Sequence, residues 1–388
     1  MTTGDQRARK PRTVLELKIW QRNQSLAEFV KSAEEFARRC GEPGTLSERH
    51  LKRLVAGQTT DGSPVGRPRP ATARLLERIF SLSIKDLLAP SETASAEESD
   101  GSQLRLSLNA ARQVDPEVLA VLRDQLNNLR RLDRQLGAVT AHDEVVAKIE
   151  QISLLQSHCL DTDIRTGLAT LLAELGTLAG WQALDLGRVA ESWRHYERAK
   201  SIALQSGNAR FEVHTTAEQS FALLAVGETN AAVEVLAATE ARARHVTDRL
   251  LRSWLAAAHG EALAAAGKRS ASLRAFDRAA SLLPSESSDA DGPYVVLDPV
   301  HLARWRGHAL ARTGAPEAID VLTSALNRLD PTFARAETGL RVDLASAFVT
   351  KGAREEAKVH VAKAHTLAVS IGSTRQLRRI QKLTYAMF

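Results

Sequence analysis

Cysteine is almost absent from this 388-residue chain: the two present, Cys40 and Cys159, stand in different segments. A disulfide framework is thereby excluded, no Cys-x-x-Cys pair offers a metal cage, and the pattern fits a reducing compartment. No run of about 18 apolar residues occurs, so no membrane span is expected. The first twenty residues contain no apolar core of a secretory signal, and the expected location is the cytoplasm. Also missing are a Gly-rich phosphate loop, an HExxH helix and a GxSxG elbow, so neither an enzyme nor a cofactor is expected. His158 and Cys159, followed by Asp161 and Asp163, form a run of ligating types. Adjacent helical side chains point about 100° apart, however, and no metal site is expected there.

Aromatics are scarce at 4 %, whereas alanine and leucine abound, a balance that favours close-packed helices. With 44 % hydrophobic and 25 % charged residues the chain suits a soluble globular protein. Its net charge of +6 is uneven. Residues 1–90 hold 17 Lys and Arg against 10 Asp and Glu, whereas residues 91–388 hold 35 against 36. A polyanion partner for the first quarter is the simplest physical reading, because cationic side chains neutralise phosphates and release counterions. A solvated basic face is the bland alternative.

Within that basic head, a polar arm precedes a short helix over 14–22. Ser25, with Glu28 three residues on, caps a second helix whose apolar residues Leu26, Phe29, Val30, Ala33, Phe36, Ala37 and Cys40 form one stripe. Gly41 stops it. Ser47 caps a third helix that ends at Gly57. On this third helix Leu51, Leu54 and Val55 share one side, Arg49 and Arg53 lie opposite, Lys52 is nearby and His50 sits at the edge. One face is core and the other cationic, the shape of a helix that enters a major groove. A turn-rich loop carries Arg67 and Arg69. A fourth helix comes next, and Ser83 and Asp86 cap a short fifth. Candidate DNA contacts are Ser47, Arg49, His50, Lys52, Arg53, Arg67 and Arg69, with Lys10 and Arg12 from the arm.

Residues 90–103 are small, polar and acidic, a linker composition. Asp115 and Pro116 then open a helix whose Leu119, Leu122, Leu126, Leu129 and Leu136 follow 3/4 spacing, interrupted by Asp133, up to Gly137. It suits either a dimer seam or packing against the helices downstream. Beyond it, Gly187, Gly227, Gly267, Gly314 and Gly352 recur at spacings of 40, 40, 47 and 38, each between Ala/Leu-rich helices. An acidic then apolar insertion, 285–300, accounts for the long spacing; it is read as a surface loop or a lid.

These residues carry two resemblances. The segments SLAEFVKSAEEFARRCGEPGTLSERHLKRLVAG and RPRPATARLLERIFSLSIKDLLAP resemble the Cro/repressor-type helix-turn-helix domain, with a longer second helix and a longer loop after the third. The segment WLAAAHGEALAAAGKRSASLRAFDRAASLLP resembles the tetratricopeptide repeat: a large residue, the small Gly260 at the close helix contact, then Ser272, Phe276, Ala279 and a closing Pro284. Together they are similar to the peptide-sensing helix-turn-helix/tetratricopeptide regulators of Gram-positive bacteria, although the run of groove asparagines typical of those sensors is missing. The expected fold is all-α: a helix-turn-helix domain over 1–90, a linker over 91–114 and a tetratricopeptide-like solenoid over 115–388. The resemblance implies a homodimer that binds double-stranded DNA and a peptide or small-molecule effector. Common register along the repeats places Glu174, Trp181, His214, Phe221, Trp254, Glu261, His301, Arg304 and His308 in the concave groove. The rival reading is a tetratricopeptide adaptor for a protein partner, with a head that no longer touches DNA.

Overall fold

The computed structural model of the protein describes residues 11–22, 24–41, 46–57, 66, 68–80, 82–91, 103–285 and 292–387, apart from the side chain of Cys40. Among these residues the structure is all-α. The one non-helical pairing is an isolated antiparallel bridge between Thr13 and Pro90. No described helix is long and apolar enough to cross a membrane. The chain divides into two compact units, Met1–Ser107 and Leu108–Phe388.

The first unit holds α1 (Val14–Trp20), α2 (Leu26–Cys40), α3 (Glu48–Ala56), α4 (Pro70–Phe80) and α5 (Ile84–Leu87). Local chemistry sets their limits. The Ser25 side chain accepts the Glu28 N–H while the Glu28 carboxylate accepts the Ser25 N–H, a closed capping box. Ser47 accepts from His50 N–H at the start of α3. At α5 Ser83 accepts from Asp86 N–H, but the Asp86 carboxylate accepts from the Ser83 hydroxyl and not from its backbone N–H, so a capping box is only half made. The apolar stripes converge: Leu15, Ile19, Phe29, Ala33, Leu46, Leu51, Leu54, Val55, Leu76 and Leu87 form one core. Val14 N–H donates to Ala89 O, which ties the start of the bundle to its end.

Part of the expected linker is helical. Residues 103–112 form α6, because its Ala111, together with Val114 just beyond, packs into the core of the next helix; residues 92–102 lie outside the described set. Then come α7 (Pro116–Leu136), α8 (Ala138–His158), α9 (Thr162–Asp185), α10 (Val189–Gln205), α11 (Ala209–Val226), α12 (Thr229–Ala243), α13 (Arg249–Ala265), α14 (Arg269–Leu282), α15 (Pro299–Arg312), α16 (Ala318–Arg328), α17 (Ala334–Lys351), α18 (Arg354–Ser370) and α19 (Thr374–Met387). From α9 to α18 they pair as tetratricopeptide-like hairpins, and all five turn glycines have left-handed φ. The reason for the small residue at the hairpin contact is visible in α13: a Cβ on Gly260 would meet the Phe276 ring at 2.8 Å. Ser272 Oγ also donates to Gly260 O at 2.7 Å across the same contact. The leucine stripe of α7 is spent internally. Leu122, Leu126 and Leu129 are buried against α8 and α9 residues, and only Leu136 at its end is exposed. That stripe therefore provides no free dimer seam.

The array turns far enough to meet its own beginning. Arg335 of α17 forms a bidentate pair with Asp133 of α7, 202 residues away. Ser373 Oγ donates to the Asp185 carboxylate at 2.7 Å. Gly137, between α7 and α8, lies at φ 84 and ψ 173, a region open essentially to glycine alone. A Cβ there would fall 2.1 Å from the Ile371 carbonyl oxygen, so the closure itself requires the missing side chain.

Candidate functional site

Closure converts the concave side into a cavity of about 600 Å³. All nine expected groove residues line it: Glu174, Trp181, His214, Phe221, Trp254, Glu261, His301, Arg304 and His308. They occupy its wall in different ways. Trp254 is 5 % exposed, held by His214 at 5.1 Å, Trp305 at 6.0 Å and Phe221 at 6.2 Å between ring centroids. Trp181 meets Phe221 edge-on at 6.0 Å. Trp254 therefore faces the cavity and packs in the core at once. It belongs to the aromatic wall, because the neighbouring repeats bring Phe221 and Trp305 against it, and its truncation would loosen packing as well as the cavity.

Much of the remaining lining is ionic. Arg130 pairs with Glu174 at 2.7 Å. His308 Nδ1 and Arg379 both contact Asp343. Burial alone would raise the Asp343 carboxyl, yet those two partners hold it well below the usual carboxylate range. Arg335 contacts Asp185 at 3.3 Å besides its pair with Asp133. Burial works against its charge, and the two carboxylates more than offset that. Nine cationic side chains line the cavity against five carboxylates. One of the five is neutral at pH 7: burial pushes Glu218 up to about 8, although the Tyr196 hydroxyl donates to it at 3.4 Å. Burial likewise lowers His214 to about 3 and His301 to about 4, so both imidazoles are uncharged.

One guanidinium group remains uncompensated, and a second is only weakly paired. Arg304 forms no hydrogen bond or ion pair among the described residues, and its Nε is buried. Burial lowers its affinity for the proton, with Asp343 and Glu261 too distant to pair. Arg375 stacks over Trp181 at 4.8 Å, its Nε is likewise without a hydrogen-bond partner, and Asp185 lies 3.8 Å off. Sequence reasoning missed Arg375 along with Arg130, Arg335 and Arg379. Arg130, Arg375 and Arg379 stand on α7 and α19, which flank the array and reach the cavity only through closure, and Arg335 stands at the very start of α17, before the groove positions of its repeat.

The insertion contributes too. Residues 286–291 lie outside the described set, but Tyr294, Val295 and Val296 line the cavity. Tyr294 N–H donates to Glu174 at 3.0 Å and Arg130 lies 4.1 Å over its ring, so this stretch straps the cavity from one side.

Raised above its unfolded value, the Glu218 carboxyl contributes stability that is fully present below the unfolded value, near 4.5, and is lost as pH rises toward about 8. Glu218→Gln cannot ionise. Its melting temperature relative to the native chain is expected to climb from pH 5 to pH 8, measured by calorimetric scans in steps of pH. A difference independent of pH would remove the buried-acid assignment.

In the head unit the candidate contacts cluster on α3. Arg49, Lys52 and Arg53 are exposed, Lys52 tied to Glu48 at 2.7 Å, and Ser47 serves as the cap. His50 is half-buried; burial first, then Arg53 and Arg69, lowers its pKa. Arg69 is exposed. The backbone N–H and guanidinium of Arg12 both reach buried Glu16, so part of this residue is already engaged. Lys10 and Arg67 lie outside the described residues.

No protein-family model matches the chain, and no curated protein matches it. Among solved structures it is similar to a kinesin light chain-like protein of Podosopora anserina built of nearly identical TPR-like repeats, at 16 % identity and a TM-score of 0.35, over 51 % of this chain and 95 % of that one. A point variant of the same protein matches at 16 % and 0.35, over 52 % of this chain and 95 % of that one.

Proposed function

We propose that the chain is a sequence-specific DNA-binding transcriptional regulator, acting as a homodimer, whose repeat array holds a small effector that modulates DNA binding. The observation that carries this reading is the unpartnered guanidinium group of Arg304, in a cavity that Arg375 shares and that Trp181, Phe221, Trp254 and Trp305 wall. Uncompensated charge held deep in a protein costs stability, and such cost collects at functional sites. Guanidinium forks match oxyanions, and indole walls take flat apolar groups. The effector is therefore an oxyanion carried on a flat ring system. The volume suits a drug-sized molecule. The Asp133–Arg335 pair and the Tyr294 strap narrow the groove, which favours a compact effector over an extended peptide. The cationic face of α3 supports the DNA half of the reading.

An array of helical hairpins also suits a scaffold for a protein partner, with a head that leaves DNA alone. One comparison separates the two. The full chain is titrated with 1-anilinonaphthalene-8-sulfonate and with its uncharged counterpart, N-phenyl-1-naphthylamine. The expected result is one anionic probe per chain, bound at least tenfold tighter than the neutral one, and a change in duplex affinity on binding. Arg304→Met should abolish the tenfold preference while raising the melting temperature of the free protein, because an unpaired cation is removed. Probe binding that Arg304→Met leaves unaltered, or no binding, favours the scaffold.

A further inference from the structure

We infer that His142, Glu191 and His195 form a binding site for one divalent transition-metal ion of the zinc class. The three side chains lie outside the cavity and come from two helices. Glu191 and His195 stand one turn apart on α10 and so share a face; His142 reaches them from α8. Glu191 Oε1 is 3.2 Å from His142 Nε2 and 3.7 Å from His195 Nε2. One ligand atom from each residue lies within 4.8 Å of the other two. Ligands about 2.0–2.2 Å from a tetrahedral ion sit roughly 3.3–3.5 Å apart, so small side-chain adjustments bring the three around a common centre. The two imidazole rings are perpendicular, with centroids 5.8 Å apart.

The hydrogen bonds behind His142 point the same way. Gln182 Nε2 donates to the Asp133 carboxylate at 3.0 Å. A carboxylate only accepts, so the amide orientation is fixed and Gln182 Oε1 faces His142 Nδ1, 3.3 Å away. Nδ1 must then carry a proton. In the neutral imidazole this leaves the Nε2 lone pair aimed at the Glu191 carboxylate: two acceptors face each other across 3.2 Å, with nothing shared between them unless a cation enters. An imidazole whose rear N–H is anchored by a side-chain carbonyl is the arrangement that orients metal-bound histidines. Arg188 approaches the second Glu191 oxygen at 3.7 Å and leaves Oε1 free for the ion. His142 is buried, whereas Glu191 and His195 are 29 % and 18 % exposed, so the fourth position opens to water. The ion would clip α8 to α10, and its anchor, Gln182, shares Asp133 with the closing Arg335.

The rival occupant of the same space is a second proton on His142, giving an imidazolium–carboxylate pair. The full chain, tag removed and stripped with a chelator, is titrated calorimetrically with zinc chloride. We expect one equivalent per chain and at least tenfold weaker binding by Glu191→Gln and by His195→Gln. His365→Gln, an exposed histidine elsewhere, should bind as the native chain does. Cobalt(II) should give the visible d–d bands of a low-coordinate site, absent in Glu191→Gln. Both Gln variants keep side-chain size at partly exposed positions, and circular dichroism verifies their folding. Zinc uptake equal in all variants would overturn the site. So would failure of the native chain to bind, accompanied by a nitrogen NMR signal from a doubly protonated His142 at pH 7.

Discussion

Replacing Arg335 with methionine is expected to remove about 3–5 kcal/mol of stability, because it strands the buried carboxylates of Asp133 and Asp185 without their shared cation. Asp133 and Asp185 are 4 % and 1 % exposed at their side chains, and Arg335 is 11 % exposed, so little solvent screening softens the loss. The effect should be structural beyond its size. Arg335 joins α17 to α7, and its absence is expected to open the ring and widen the mouth of the cavity. Urea unfolding supplies the energy, and hydrogen exchange along 133–139 and 371–376 reports the opening. Combining Arg335→Met with Asp133→Asn and Asp185→Asn should recover part of the loss, since neutral amides no longer need the cation. A loss below about 1 kcal/mol would place the three groups in water and would demote the closure to a surface contact.

What the sequence displays and what it hides divides along the same line. Helix limits are legible because a cap is a local event: Ser25 with Glu28, Ser47 with His50 and Asp115 with Val118 each act within three residues. Hairpin turns are legible because glycine recurs wherever the chain must take a left-handed φ. The groove residues are legible as a set because each repeat presents the same face inward. Closure is not. Asp133 and Arg335 are joined only through the accumulated rotation of the intervening hairpins, and no local pattern records that sum. Gly137 reads in the sequence as a plain helix stop, whereas in space it is the contact with Ile371. Arg375 could have been suspected on one ground: it stands after the last repeat on a helix, α19, rich in basic residues. The triad of His142, Glu191 and His195 escaped for the same reason as Arg335, since 49 residues separate its first member from its second.

Truncating Arg49 and Arg53 together to alanine is expected to weaken specific duplex binding by about 2–6 kcal/mol, at roughly 1–3 kcal/mol for each base-reading contact. The physical case starts with α3 itself. Leu51, Leu54 and Val55 are fully buried in the head core, which fixes the rotation of the helix and turns Arg49 and Arg53 outward. Both are exposed, so their truncation should leave the fold and melting temperature nearly unchanged, and a drop in affinity can be assigned to contact with DNA. Lys52 is partly occupied by Glu48 and makes the weaker lesion. The measurement is a titration of full-length protein against a duplex selected from a random pool, repeated across a series of salt concentrations. A side chain that only neutralises a phosphate lowers the log–log salt slope by about one and weakens all duplexes alike. A side chain that reads a base flattens the preference between the selected duplex and its point variants. Arg74→Ala, exposed on α4, serves as the comparison for loss of positive charge alone. If the double variant and Arg74→Ala behave alike in affinity, slope and preference, α3 is not the reading helix. The surplus of cations in the first 90 residues would then have to be explained by a solvated face, and the array by the scaffold role.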